Sequence, residues 1–461
     1  MFKIHAGRVS AVLASAFLAS ACGGEEEMIQ PPPVEPTTFK VRLANVAPFS
    51  QLKSGVFNTR VGGTSPGPLA PGEAYEFSFT AGKGQKLSFA TMLGQSNDWF
   101  FAPDPAGIEL YENGNPISGD ITSHVYLWDA GSEINEEPAV GAHTGPNQAS
   151  SLDGPGALDS DPTVRKVTSP TTLSNGTQFN VPAVASMIKV SLTSNAATQQ
   201  FTVRIQNVGT DDSTLMTSQG FKPVRFSPGV WTLTTGGEPL FSVGQRDRKQ
   251  GLEAIAEMGQ VTELAAMLAS TTGVATPISP GVFLVSATGH TLFAVGMPDN
   301  GQGLERIAEE GNVTPLYDTM KGHVVAQEML GIFNTPEGAS SPGPARPGNA
   351  YSFEIKALPG DKLSFVTMYG MSNDWFFGTS PQGIDLFDAE GMPRTGDFSS
   401  SLHLYDAGTE RSEELGIGPN TGPQQPAANT GLVDIDNKVR EVSSSDYATP
   451  VTSHLKLTLS R

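Results

Sequence analysis

The chain has 461 residues, one cysteine and a net charge of −19, from 47 acidic against 28 basic residues. The length calls for two or three domains. The charge argues against nucleic-acid binding, which needs a basic surface, and a lone cysteine excludes an intramolecular disulfide and a cysteine zinc site.

At the amino terminus, Lys3 and Arg8 precede a short apolar run, VSAVLASAFL, and then Ala19-Ser20-Ala21 and Cys22. This is the layout of a secretory signal, and the run is too short for a membrane span of about 20 residues. The cysteine directly after the small residues resembles a bacterial lipoprotein signal. Residues 1–21 would be removed and Cys22 lipidated, and Gly23 in place of Asp suggests the outer membrane. The alternative is an ordinary signal peptide with an incidental cysteine. Residues 22–38, with Glu25–Glu27 and a proline run, read as an acidic, fairly stiff tether.

Beyond the tether the chain is duplicated. KLSFATM (86–92) recurs as KLSFVTM (362–368), and SNDWFF occurs at 96–101 and 372–377. YLWDAGSE (126–133) recurs as LYDAGTE (404–410), and MIKVSL (187–192) as HLKLTL (454–459). The openings, FKVRLANV (39–46) and FTVRIQNV (201–208), lie closer together, so the second copy carries an insert. The insert is itself repeated: SPGVWTL (227–233) and SPGVFLV (279–285), GLEAIAEMG (251–259) and GLERIAEEG (303–311).

Alternating apolar and polar residues in FKVRL, YEFSF, KLSFATM, VYLW and MIKVSL predict half-buried strands. Gly/Pro/Asn turns between them predict antiparallel sandwiches, so the fold class is all-β. The predicted domains are 39–197 and 198–461, with the repeated insert at 226–322 in the second. Each insert unit reads as a hairpin (GVWTLTTGGEPLFSVG) followed by a helix, with Gly259 as a helix cap. One of the two units docking on the first domain would complete it.

The ordered set FxVRIxN, SPGV, GLE-x-IAE-x-G, PGxAYxF, LSF-x-TM, SNDWFF and DAG[ST]E resembles the spondin amino-terminal domain of F-spondin and mindlin. The resemblance implies two C2-like β-sandwiches, extracellular, calcium-binding and adhesive. No thrombospondin-type repeats accompany them here.

The acids of these motifs are the candidate ligands: Asp98, Asp129 and Glu133 in the first copy, and Asp374, Asp406 and Glu410 in the second. Each follows a strand, and an Ala-Gly bend lets two carboxylates turn toward one point. Calcium takes six to eight oxygen ligands, commonly from such loops. The resemblance places calcium on these acids; the bland alternative is Asx turns. Trp99 and Trp375 read as packing residues, and Trp128, which becomes Tyr405, as a half-exposed aromatic. The Gly63–Gly67 match to a nucleophile elbow fails, because Pro66 has no N–H for an oxyanion hole.

The function expected from these readings is a lipid-anchored, extracytoplasmic binding or adhesion protein with calcium-binding domains and a protein or glycan ligand. It is not expected to be an enzyme or to bind nucleic acid. The alternatives are a structural envelope lipoprotein and a hydrolase using Asp129 and Glu133 as a carboxylate pair.

Overall fold

The computed structural model describes residues 35–148, 156–299 and 301–461. The expected signal peptide, Cys22 and most of the expected tether lie outside the described residues. The first strand, β1 (Thr37–Asn45), buries Phe39, Val41 and Leu43 and exposes Lys40 and Arg42, as its alternation predicts.

A first sandwich follows. Its strands are β2 (Lys53–Phe57), β3 (Ala74–Thr80), β4 (Lys86–Leu93), β5 (Trp99–Pro103), β6 (Gly119–Asp120), β7 (Val125–Asp129), β8 (Arg165–Lys166), β9 (Ile188–Asn195), β10 (Gln200–Asn207) and β11 (Phe226–Thr234). Two short helices, α1 (Leu252–Met258) and α2 (Thr262–Ser270), complete it. One sheet runs β8-β7-β5-β4-β11-β2 and the other β3-β10-β9-β6, with antiparallel pairing.

The second sandwich repeats the plan with β12 (Ile278–Ser286), α3 (Leu304–Glu310), α4 (Thr314–Lys321), β13 (Met329–Phe333), β14 (Ala350–Ala357), β15 (Lys362–Tyr369), β16 (Trp375–Thr379), β17 (Gly396–Asp397), β18 (Leu402–Asp406), β19 (Arg440–Glu441) and β20 (Leu455–Ser460). Its sheets run β13-β12-β15-β16-β18-β19 and β14-β1-β20-β17.

The chain is therefore mostly β and sandwich-like, but its pairing does not respect the expected 197/198 boundary. That boundary falls in the turn between β9 and β10, which are paired along their whole length from Ile188↔Asn207 to Asn195↔Gln200. Conversely β1 leaves its own neighbours and pairs with β14 and β20, at Leu43↔Tyr351 and Val41↔Leu459. The first sandwich is thus nested between β1 and the rest of the second. The two insert units divide likewise: β11, α1 and α2 belong to the first sandwich, and β12, α3 and α4 to the second. Two connectors run side by side where the chain passes between sandwiches. Ser50 N–H donates to Thr271 O (3.0 Å), Gly273 N–H to Gln51 O (2.9 Å), and the buried Asn45 amide to Thr276 O (2.8 Å).

Each insert unit also differs from the expected hairpin and single helix. After β11 the chain forms a loop, not a return strand, and then two helices rather than one. The reason is packing. Phe241 turns under the helices against Phe100 and Trp128, and Phe293 does the same against Phe376 and Tyr405. The helix layer covers the outer face of the larger sheet, so β4 and β15 are buried on both faces instead of half-buried. Trp128 and Tyr405 are buried for the same reason, contrary to their expected half-exposure. Gly259 caps α1 in the left-handed region at φ 64°, as predicted.

The second core holds His454, fully buried among Phe49, Tyr369, Phe377 and Tyr447. Nε2 lies 2.9 Å from the Tyr447 hydroxyl, and Nδ1 has no partner. Burial pushes the imidazole pKa from 6.5 down to about 4. The unfolded chain then binds the extra proton between those values, so this group's contribution is complete above pH 6.5 and is lost as pH falls toward 4. The loss is on the order of 3 kcal/mol. Denaturant titrations from pH 7 to 4 should show His454→Phe losing less stability than the wild type. Parallel curves would remove His454 as the cause.

Candidate functional site

The six predicted acids stand at one end of each sandwich, where β4 leads into β5, β7 leaves the sheet, and the corresponding strands do the same in the second copy. All six are buried. Asp98 precedes β5, and its Oδ2 accepts the N–H groups of Ser132 (3.1 Å) and Glu133 (3.2 Å). Asp374 repeats this with Thr409 (2.9 Å) and Glu410 (3.0 Å). Each aspartate therefore ties the strand it precedes to the DAG[ST]E loop. In both copies the other oxygen, Oδ1, is buried without a hydrogen-bond partner.

Glu133 and Glu410 behave the same way. Oε1 of Glu133 accepts Gly156 N–H (2.9 Å) and Oε1 of Glu410 accepts Gly431 N–H (2.7 Å), while both Oε2 atoms are buried and unpartnered. Gln148 and Gln425 add a third such oxygen. Their amides donate to the main-chain oxygens of Glu257 and Glu309, and Oε1 is left without a donor. The same three oxygens are thus unpartnered in both copies. Native proteins leave few buried polar atoms in this condition.

Asp129 and Asp406 do not join them. Asp129 Oδ1 accepts Gly131 N–H (2.7 Å), an Asx turn, and Oδ2 faces Arg165 (2.7 Å) and Asn135 (3.0 Å). Asp406 accepts Gly408 N–H (2.7 Å), and its Oδ2 faces Arg440 (2.6 Å) and Trp375 Nε1 (3.3 Å). Asp129 and Asp406 are thus paired with arginines, while staying near enough to raise the pKa of Asp98 and Asp374. Among the described residues, no group of three or more His, Cys, Asp or Glu side chains is arranged to hold a metal ion. The arginines come from β8 and β19, more than thirty residues beyond the aspartates they meet. Neither DAG[ST]E segment contains a basic residue of its own; Arg411 comes only after the second. Gly131 is required at its bend: φ is +71°, and a Cβ would lie 2.6 Å from Thr163 O.

Sequence reasoning also missed two acids. Glu257, near the end of α1, and Glu309, near the end of α3, are both buried. Glu309 accepts from Thr409 Oγ1 (2.8 Å) and Asn429 N–H (2.7 Å), tying the helix to the loop of Glu410. The motif GLE-x-IAE-x-G repeats the second glutamate, but it stands five residues after Leu252 or Leu304, off the Leu–Ile–Ala stripe, so helical periodicity carried no sign of its burial.

These neighbours shift one another. Burial first, and then Asp406, push the Asp374 carboxyl up to about 8. Burial, and then Asp129, push Asp98 well above the usual carboxylate range. Burial raises Glu309 to about 7 against the hydrogen bonds it accepts. Asp129 and Asp406 are raised too, because burial outweighs the pull of their arginines. Each end therefore gathers more buried carboxylate than its own arginine neutralises.

No protein-family model matches this chain, and no curated protein matches it.

Proposed function

We propose that this chain is a lipid-anchored, extracytoplasmic binding or adhesion protein whose two sandwiches each take up a calcium ion. The observation that carries the reading is the duplicated set of buried, unpartnered oxygens: Asp98 Oδ1, Glu133 Oε2 and Gln148 Oε1, and Asp374 Oδ1, Glu410 Oε2 and Gln425 Oε1. A buried carboxylate oxygen with no donor is costly, and a cation is the natural complement. An all-oxygen donor set of carboxylates and amide carbonyls suits calcium rather than zinc. Asp98 and Glu133 with the Gln148 amide oxygen would hold the ion in the first sandwich, and Asp374 and Glu410 with the Gln425 amide oxygen in the second. Asp129 and Asp406, held by arginine, contribute potential rather than ligation. When bound, the ion neutralises the carboxylates and fixes the loops that carry them. The segments bridged to those loops carry exposed apolar side chains, Leu158 opposite Glu133 in the first copy and Leu432, Val433 and Ile435 opposite Glu410 in the second. Such side chains favour a protein partner over a glycan.

Calcium should stabilise the mature protein by about 2.7 kcal/mol at a hundredfold excess over Kd, and so raise its thermal transition. Asp98→Asn and Asp374→Asn should each blunt that gain. In chelator, the raised pKa of Asp374 gives the opposite sign to His454: its contribution is present below pH 4 and is lost as pH rises through 8. Calcium should therefore matter most at high pH, where the carboxyls are ionised. Calorimetric titration that finds no calcium binding, with melting unmoved by chelator, would refute the reading. The anchor is tested separately. Cys22→Ser should move the protein from the membrane to the soluble fraction, and a variant that still sediments would exclude lipidation at Cys22.

A further inference from the structure

The connectors and the second sandwich enclose a cleft of about 590 Å³, which is within the roughly 300–1,000 Å³ range of small-molecule sites. Its walls come from both sandwiches: Leu52 and Lys53 from the first, Val274 from a connector, and Trp375, Leu415 and Val442 from the second. An apolar floor at a domain junction is where ligand sites commonly form.

The charges on its rim decide what fits. Lys53 is paired with Glu414, and Arg440 with Asp406. Those pairs cancel; of the remaining acids at the cleft, Glu441 faces only the imidazole of His403, and Glu413 and Asp446 have no ion pair among the described residues. Glu413 is oriented by Asn420, through its N–H (2.9 Å) and its side-chain amide (2.6 Å), and Asp446 by Ser443 Oγ (2.6 Å). These neutral donors hold the carboxylates without neutralising them. His403 Nδ1 lies 2.9 Å from Glu441. An anion would meet three carboxylates. A hydrated metal ion would gain nothing from Leu52, Leu415 and Val442.

We propose that this cleft binds a small organic cation: an ammonium group on an apolar body, with the body on the Trp375–Leu415–Val442 floor and the charge among Glu413, Glu441 and Asp446. The site differs from the calcium reading in its three rim carboxylates, although Asp406 of the buried set also lines the cleft.

The test is calorimetric titration of the mature protein with phenethylammonium and with its neutral counterpart, 2-phenylethanol, each with and without calcium. The cation should bind at least about tenfold more tightly than the alcohol, and added salt should weaken it. Glu441→Gln with Asp446→Asn should lose about tenfold for the cation and little for the alcohol. Leu415→Trp should fill the cleft and abolish binding of both. If a variant unfolds, circular dichroism will show it, and the cation–alcohol comparison on wild type still decides. Equal binding of the two probes overturns the proposal, as does no binding of the cation. Displacement of the cation by calcium overturns it too, by assigning the rim to a metal ion.

Discussion

Arg440→Met is expected to destabilise the second sandwich by about 3 kcal/mol in calcium-free buffer, at the lower end of the cost of breaking a buried pair. Arg440 bonds two carboxylates, Asp406 (2.6 Å) and Asp434 (2.6 Å), and Asp406 is buried. Removing the guanidinium strands a negative charge next to Asp374, which is already raised by that neighbour. The arginine side chain is itself 35% exposed, so solvent relieves part of the cost. The double variant Arg440→Met/Asp406→Asn should recover most of the loss, because the stranded charge is gone. Calcium should also reduce the loss if it neutralises the same cluster. Urea unfolding of the three proteins, with and without calcium, measures both effects. A single variant as stable as the wild type would show that the pair is not holding the loop end together. Arg165→Met should do the same in the first sandwich, where Arg165 meets Asp129 and Asp159.

Fragment 52–273 should fold cooperatively, and fragment 39–197 should not. The shorter fragment lacks β10, which sits between β3 and β9, and β11, which sits between β4 and β2. Both sheets of the first sandwich are thereby split. The missing strands contribute Phe201, Val203, Ile205, Val230, Trp231 and Leu233, all buried. At about 1.5–3 kcal/mol per side chain, that loss is on the order of 9–18 kcal/mol. The whole net stability of a domain is about 5–15 kcal/mol. The fragment also carries β1, whose partners β14 and β20 are absent, leaving a strand edge open to aggregation. Circular dichroism and urea titration of both fragments are decisive. A cooperative transition in 39–197 would mean that strand β1 can replace β10, and the nested arrangement would lose its energetic basis.

That substitution is the crux of what could be read from sequence. FKVRLANV and FTVRIQNV place Phe39 and Phe201, Val41 and Val203, Leu43 and Ile205, and Asn45 and Asn207 in the same roles. Both asparagines are buried and donate to main-chain oxygens, Asn45 to Thr276 and Ala345, Asn207 to Val224. The strands themselves, their alternation and their duplication are local properties, visible in a few residues. So are the loop acids, because each follows a strand within the same motif. Which sheet each opening strand joins is not local. The two strands present the same inward face, so side-chain pattern cannot choose between the sheets. The connections choose. The turn 196–199 between β9 and β10 is short enough to close a hairpin, while β1 passes into a connector that runs beside residues 271–273. The arginines that pair with Asp129 and Asp406, the helix layer that buries Trp128, and the glutamates at the ends of α1 and α3 likewise come from distant segments. Sequence determined the strands, the duplication and the acids at the sandwich ends. Tertiary structure alone decided their partners, because hydrogen-bond ladders and ion pairs are fixed by which segments meet, and two nearly equivalent strands leave that choice open.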